Sequence, residues 1–181
     1  MRHEAKASSA GRRSEIDPLL FRRTIGAFAT GVTVVTVDDA GGAIHAMTAN
    51  AFMSGSLEPP LCVISIAKRA HTHTMIRQAR RFGVSILGAD QEDLALFFAG
   101  KKSLDVEARF GRVADTPFLQ DCAARIAASV VNECDCGDHT LFLGAILHLD
   151  ASDRPPLIYH RSAFGALAAR TGEPVPVPEF W

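Results

Sequence analysis

Short segments rich in Val, Ile, Thr and Phe recur along this chain of 181 residues and are separated by turn residues. Such residues favour β-strands, because branched and aromatic side chains pack well on the half-buried surface of a sheet. The predicted strands are 32–37, 44–53, 61–67, 82–87, 123–132, 140–149 and 157–160. Long helices do not alternate with them, so a β-barrel is favoured over a doubly wound parallel sheet.

A helix is predicted to begin the folded part of the chain. Asp17 followed by Pro18 is typical of a helix N-terminus, where aspartate caps free N–H groups and proline needs no partner. Apolar residues then recur at helical spacing, at Phe21, Ile25 and Phe28. Gly31 is predicted to end this helix.

Two further short helices are predicted at 72–79 and at 91–98, the second capped by Asp90. The strands at 61–67 and 82–87 are nearly all apolar, which predicts that both of their faces are buried. The fold class expected from these patterns is mainly β with peripheral helices.

Length and composition predict one globular domain with a short segment outside it at each end. Apolar residues make up 48% and charged residues 22% of the chain, as in ordinary globular proteins. Residues 1–15 are polar and lack a hydrophobic period, which predicts a disordered arm. The domain is expected at 16–170, followed by an extended tail at 171–181 that contains three prolines.

The charge balance argues against nucleic acid and membrane partners. The formal net charge is −1, so no broad basic field is expected. No apolar run approaches the roughly 18 residues of a membrane span, and none follows the basic residues near the N-terminus. These features predict a cytoplasmic protein.

The four cysteines are expected to be free thiols, as is usual in a reducing compartment. Cys134 and Cys136 are separated by one residue and lack the second pair of ligands that a structural zinc site needs. No metal site is predicted.

Two segments have the composition of a ligand site. Residues 47–60 combine small residues with amide and hydroxyl donors, which suits a flat heterocycle, although a polar hairpin edge has the same composition. Residues 68–72, Lys-Arg-Ala-His-Thr, precede a predicted helix and suit a phosphate, although a basic turn is often only solvated. Together they predict a ligand with a flat ring at one end and a phosphate at the other.

Two segments nearer the C-terminus are also candidates. Gly-Asp-His-Thr at 137–140 opens a predicted strand, and Tyr-His-Arg at 159–161 closes the last one. Both could be structural, or both could lie over the ring and hold a second, anionic substrate. The sequence contains no GxGxxG after a strand, no Walker loop, no GxSxG and no HExxH, which disfavours dinucleotide-binding Rossmann folds, P-loop enzymes, hydrolases and zincins.

Between residues 17 and 167 the sequence resembles the flavin reductase-like family. The resemblance is carried by five segments in a fixed order: 28–36, 48–60, 81–82, 137–140 and 157–161. It implies an FMN-binding split β-barrel that is a homodimer with the flavin near the subunit interface. It also implies an NAD(P)H:flavin oxidoreductase that reduces FMN or FAD with NADH or NADPH and supplies reduced flavin to a partner monooxygenase.

The resemblance also implies roles for individual residues. The ring would lie beside residues 48–50, the ribityl chain along Ser65 and Ala67, and the phosphate near residues 68–72. The implied flavin-binding residues are Thr48, Ala49, Asn50, Ser56, Ser65, Ala67, Lys68, His71, Thr72 and Phe98. The implied nicotinamide-binding residues are His139, Tyr159, His160 and Arg161.

His139 is the candidate catalytic residue, because it could orient the nucleotide or relay a proton. Two other functions remain open from the sequence. One is a flavin-binding protein that stores or senses flavin without oxidising nicotinamide. The other is a related split-barrel enzyme with a different substrate, such as an oxidase of a phosphorylated pyridine.

Overall fold

The computed structural model describes residues 16–101 and 106–168, so the predicted arm at 1–15 and tail at 171–181 lie outside the described residues. The described residues form helices α1 (Pro18–Ile25), α2 (His71–Ala79) and α3 (Glu92–Phe98), and strands β1 (Thr30–Gly31), β2 (Thr33–Asp38), β3 (Ile44–Ala49), β4 (Phe52–Ser56), β5 (Leu61–Ala67), β6 (Arg81–Ile86), β7 (Phe110–Val113), β8 (Thr116–Leu119), β9 (Ala124–Cys136), β10 (His139–Ala151), β11 (Ile158–His160) and β12 (Ala163–Gly165). The predicted fold class, mainly β with peripheral helices, is confirmed.

The main sheet has seven antiparallel strands in the order β3-β2-β6-β9-β10-β5-β4. Its two outermost strands, β3 and β4, are joined by Asn50 and Ala51 alone. In a flat sheet these edges would be about 29 Å apart, because neighbouring strands are spaced by about 4.8 Å. The link can span at most about 11 Å. The sheet therefore curls until the end of β3 and the start of β4 come together, which produces a barrel.

The interior of the barrel is an apolar core, which we call the first core. It is formed by the inward-facing residues of five strands together with Ile76 of α2: Val35, Val37, Cys62, Ile64, Ile66, Phe82, Val84, Ala128, Val130 and Phe142. Helix α2 contacts β2, β3, β5 and β6. Burial raises the pKa of the Cys62 thiol to about 11, so this cysteine is protonated at neutral pH.

A second core covers the opposite face of β2. It contains Val32 and Val34 together with Leu87, Ala95 of α3, Leu119 and Leu157. Since successive strand residues point to opposite faces, Val34 enters the second core and Val35 the first. Strand β2 is thus buried on both faces, and this holds α3 against the barrel.

Hairpin β7–β8 is packed across the barrel at Gly83 of β6. The Thr36 hydroxyl donates to the Pro117 carbonyl at 2.5 Å, which brings the β8 backbone over this point. A Cβ atom at Gly83 would overlap both the Pro117 carbonyl and the Thr36 hydroxyl. The absence of a side chain at Gly83 therefore permits the crossing.

Two sequence predictions about helix ends are wrong. Helix α1 begins as predicted, with the Asp17 carboxylate accepting from the N–H groups of Leu19 and Leu20, but it ends at Ile25 and not at Gly31. Residues 30–31 instead pair with β11, so tertiary strand pairing prevails over the helical period. Asp90 does not cap α3, because its carboxylate binds Arg154 at 2.5 Å.

The prediction for strand 61–67 is correct in its bounds and wrong in its burial. In β5 buried residues alternate with half-buried ones, so only one face lies in the first core. The other face, which carries Ser65 and Ala67, is partly open. The predicted strand 44–53 is wrong as a single element, because the chain leaves β3 at Ala49 and enters β4 at Phe52, at the other end of the strand order. The hairpin β7–β8 and the short strands β1 and β12 were not predicted.

We expect Gly83→Ala to lower the free energy of unfolding by about 1–3 kcal/mol, because overpacking would push β8 away from the barrel. Thermal unfolding followed by circular dichroism would measure the change. Gly165→Ala is the matched control, since a Cβ there meets no atom within 4 Å and its melting temperature should stay near that of the wild type. Equal stability of the two variants would contradict the crossing as described.

Candidate functional site

The link that closes the barrel also lines a cavity. Thr48, Ala49 and Asn50 lie at the end of β3, and α3 packs on the same strand. The cavity has a volume of about 330 Å³, within the range of small-molecule sites. It is lined by Val32, Thr48, Ala49, Asn50, Leu96, Ala99, Tyr159, Ser162 and Phe164.

Hydrogen bonds within the fold use two of the groups at this cavity. The Thr48 hydroxyl donates to the Ala95 carbonyl of α3 at 2.7 Å. The Thr33 hydroxyl donates to the Ala49 carbonyl, also at 2.7 Å. The Thr48 hydroxyl therefore positions α3, and the side-chain amide of Asn50 is the polar group that this segment presents to a ligand.

Ser65 and Ala67 continue from the cavity along β5. The Ser65 N–H donates to the Ala51 carbonyl at 3.0 Å, which joins the middle of β5 to the link. Both side chains are half-buried and lie on the face of β5 that points away from the first core. They form a strip that leads from the cavity towards the turn after β5.

The basic turn predicted at 68–72 lies at the end of this strip. The Lys68 N–H donates to the Asp138 carbonyl at 2.9 Å, so the turn is bound to the tip of hairpin β9–β10. His71 is exposed at the first position of α2. We call the cavity at residues 48–50, the strip of Ser65 and Ala67, and Lys68 together the groove. Its parts follow one another from the end of β3 to the turn after β5, with small residues in the middle and Lys68 at one end.

Thr72 is placed differently from the sequence prediction. Its side chain is buried, and its hydroxyl lies 3.0 Å from Nε2 of His45 and donates to the Met47 sulfur at 3.5 Å. The hydroxyl is therefore directed at β3 rather than at the surface of the turn. The predicted contact of this side chain with a phosphate is not supported by its position.

His139 opens β10 directly across from Ala67, so it borders the groove. Its Nδ1 lies 2.8 Å from the Asp138 carboxylate. This hydrogen bond holds the pKa of Asp138 below its usual value. The carboxylate thus orients the imidazole at the edge of the groove.

The predicted nicotinamide residues are brought to different parts of the groove. Tyr159 lines the cavity and packs against Phe164 with ring centroids 5.3 Å apart. His160 and Arg161 are exposed, and the Arg161 N–H donates to the Gly26 carbonyl at 2.9 Å. Tyr159 therefore lies at the cavity end, whereas His139 lies near Lys68.

Two predicted flavin residues lie away from the cavity lining. Ser56 is exposed at the end of β4. Phe98 packs against the second core and against Phe110, with ring centroids 6.1 Å apart. The residues of this region that line the cavity are Leu96 and Ala99, which lie on another side of the helix end. Nothing in the sequence distinguished them from other apolar residues of α3.

A second cavity of about 310 Å³ adjoins the first and shares Asn50, Tyr159 and Ser162 with it. Its remaining lining comes from α1 and the segment after it: Phe21, Arg22, Ile25, Gly26, Phe28 and Thr30. No sequence pattern linked α1 to the site, because strand pairing between β1 and β11 is what brings this segment beside Tyr159.

The four cysteines are free; Cys62 and Cys122 are buried, and Cys134 and Cys136 are exposed. Among residues 16–101 and 106–168, no three His, Cys, Asp or Glu side chains are arranged to hold a metal ion.

Within the same ranges, no helix has the length and apolar character needed to cross a membrane.

The curled antiparallel sheet with a cavity at its edge places the chain in the class of split β-barrels, to which similar solved flavin reductases belong. The chain belongs to the family described as flavin reductase like domain, whose sequence profile matches residues 25–168. The predicted family, the split-barrel fold and the flavin reductase activity with a nicotinamide donor are confirmed.

Known proteins similar to this chain cover most of its length. The NADH-dependent flavin reductase of a Rhodococcus species is 40% identical over 155 residues, which is 84% of this chain and 88% of that protein. The structure of flavin reductase PheA2 in its native state has a TM-score of 0.82 at 41% identity and covers 85% of this chain and 100% of its own. The styrene monooxygenase flavin reductase of Pseudomonas putida S12 has a TM-score of 0.76 at 30% identity, with 87% and 99% covered.

We expect Ala99→Trp to weaken FMN binding about tenfold or more, because the indole would fill part of the cavity lined by residue 99. Titration followed by flavin fluorescence would give the dissociation constant. Ala40→Trp, in the exposed turn between β2 and β3, is the matched control and should bind FMN like the wild type. Unchanged binding by Ala99→Trp would exclude the cavity as the ring site.

Proposed function

We propose that this chain transfers a hydride from NADH to FMN or FAD held along the groove. The observation that supports this proposal is the order of the parts of the groove: the cavity, then Ser65 and Ala67, whose strand is bonded to the link, then Lys68. A flavin has the same order of parts, namely a flat ring, a polyol chain and a phosphate. NADH is the favoured donor because the Rhodococcus relative is named for it.

The residues along the groove fit such a ligand. A cavity with mostly apolar and small lining accepts a planar ring, and the Asn50 amide can both donate to and accept from ring heteroatoms. From Ser65 to Lys68 the strand advances by about 10 Å, which leaves room for a ribityl chain. Lys68, His71 and the start of α2 provide the positive end for a phosphate.

Bound flavin supplies the hydride acceptor, so the protein requires no nucleophile of its own. The contribution of the chain is to hold two planar molecules in contact and to exclude other arrangements. We assign the orientation of the nicotinamide nucleotide to His139, which Asp138 orients, and to Tyr159 at the cavity. His160 and Arg161, exposed beside Tyr159, are proposed to meet its phosphates.

We further propose that the reduced flavin is delivered to a monooxygenase. The similarity to the styrene monooxygenase flavin reductase supports a partner of this kind. A reductase with this role must release its product, and the groove is open along the Ser65 and Ala67 strip. The free thiols are consistent with a cytoplasmic location, where cysteines remain reduced.

The proposed assembly is a homodimer in which α1 forms part of the interface. No residue of α1 is buried, and its apolar residues Leu20, Phe21 and Ile25 are 58%, 54% and 59% exposed. An exposed apolar surface of this kind is typical of a protein interface. Since α1 also lines the second cavity, the interface would adjoin the groove.

The central test is oxidation of NADH, measured as the loss of absorbance at the nicotinamide band with FMN, FAD and riboflavin supplied in turn. We expect turnover with a flavin present and none without it. His139→Ala should raise KM for NADH or slow flavin reduction, because the oriented imidazole is lost. Binding of flavin without any NADH oxidation would favour the storage or sensing function instead.

His148→Ala is the matched control for that variant. His148 lies nine residues further along the same strand and is bonded to Asp150 at 3.2 Å, away from the groove. Its kinetic constants should equal those of the wild type. Unchanged kinetics in His139→Ala would remove His139 from the site.

Light scattering coupled to gel filtration should give about twice the chain mass of 19.4 kDa. We expect Phe21→Glu to shift this species towards the monomer, because a carboxylate would be buried in the α1 interface. Thr24→Glu adds the same charge to α1 at a polar position and should leave the dimer intact. A monomeric wild-type protein would contradict the proposed interface.

A further inference from the structure

Lys68 forms an ion pair on the side of the hairpin opposite to the groove. Its Nζ lies 3.4 Å from Oδ1 of Asp135 in β9. His139 of β10 lies across from Ala67 of β5 on the groove face. The next residue, Thr140, points to the opposite face and lies across from Ile66 of β5 and Asp135 of β9. The ammonium group is therefore held by Asp135 and directed away from the strip of Ser65 and Ala67.

Buried residues fix the position of Asp135. The Thr140 hydroxyl, which is itself buried, donates to Oδ1 of Asp135 at 3.3 Å. Nε2 of His73 lies 2.9 Å from the same hydroxyl, and it must be the donor because the threonine proton is already used. Burial lowers the pKa of His73, so the imidazole is neutral at pH 7. The Asp135 carboxylate is thus hydrogen-bonded to buried residues, although 80% of the Asp135 side chain is exposed.

We propose that Asp135 competes with the flavin phosphate for Lys68 and thereby keeps the affinity for phosphorylated flavins low. This inference rests on the proposed function, in which the phosphate lies at residues 68–71. Binding of a phosphate by Lys68 would draw the ammonium group away from Asp135, and the free energy lost in that ion pair reduces the affinity.

The consequence is a flavin that dissociates readily after reduction. An exposed ion pair of this kind changes a binding constant by up to about fivefold. That magnitude is too small to abolish binding and large enough to favour release. A reductase that supplies another protein benefits from such a balance, because its product must leave.

Fluorescence titration of the full-length protein with FMN and with riboflavin tests the proposal. Riboflavin has the same ring and ribityl chain and lacks the phosphate. We expect Asp135→Asn to lower the dissociation constant for FMN about three- to fivefold and to leave that for riboflavin unchanged. Asparagine retains an oxygen that can accept from Thr140, so the hairpin should fold normally, which thermal unfolding would verify.

Asp115→Asn removes the same charge from the β7–β8 turn and should not alter FMN binding. Lys68→Met combined with Asp135→Asn completes the design, because the gain from Asp135→Asn should disappear when the lysine is absent. Raised salt should also reduce the gain, since exposed charges are screened.

Three results would overturn the inference. The first is an FMN dissociation constant for Asp135→Asn that equals or exceeds that of the wild type. The second is an equal change for riboflavin, which would indicate a disturbed ring site. The third is a full gain in the Lys68→Met background, which would indicate simple repulsion. A wild-type protein that binds no flavin would overturn the proposed function as well, whereas normal binding with no effect of Asp135→Asn would overturn this inference alone.

Discussion

The two-residue link between β3 and β4 is the constraint on which the rest of the structure depends. These strands are the outermost of seven, yet Asn50 and Ala51 alone connect them, so the sheet has to close. Closure encloses the first core and leaves the link itself at the surface. The same residues then form the wall of the cavity, because a tight connection of small residues gives a ligand access to the backbone. The fold and the candidate site therefore share one cause.

Hydrogen bonds within the fold hold the elements of the site in place. The Thr48 hydroxyl donates to the carbonyl of Ala95. The backbone carbonyl of Asp138 accepts from the Lys68 N–H, and its carboxylate is bonded to the imidazole of His139. These bonds hold α3, the basic turn and the hairpin tip against one another. The charged side chains themselves remain at least partly exposed, which suits a ligand that binds, reacts and leaves. A rigid frame with exposed contacts is consistent with a dissociable flavin.

Much of this organisation could be predicted from local patterns. The bounds of β5 were predicted correctly, and Asp17 was correctly identified as the cap of α1, because alternation and capping depend on neighbours in the chain. The segments at 48–50 and 65–68 were proposed to line one flavin site because of a family resemblance, and in the structure a hydrogen bond from the Ser65 N–H to the Ala51 carbonyl joins β5 to the link. The end of α1 was wrong, since pairing of Thr30 with Tyr159 is a long-range interaction that a helical period does not reveal.

The direction of each side chain was decided by the tertiary structure. Sequence alone determined a mainly β domain and the presence of donors and cations suited to a flat, phosphorylated ligand. It did not determine that the Thr72 hydroxyl faces His45, that Leu96 and Ala99 line the cavity, or that Asp135 holds Lys68. The physical reason is that periodicity reports which face of an element is apolar, whereas the partner of a polar group depends on which distant strand is packed beside it.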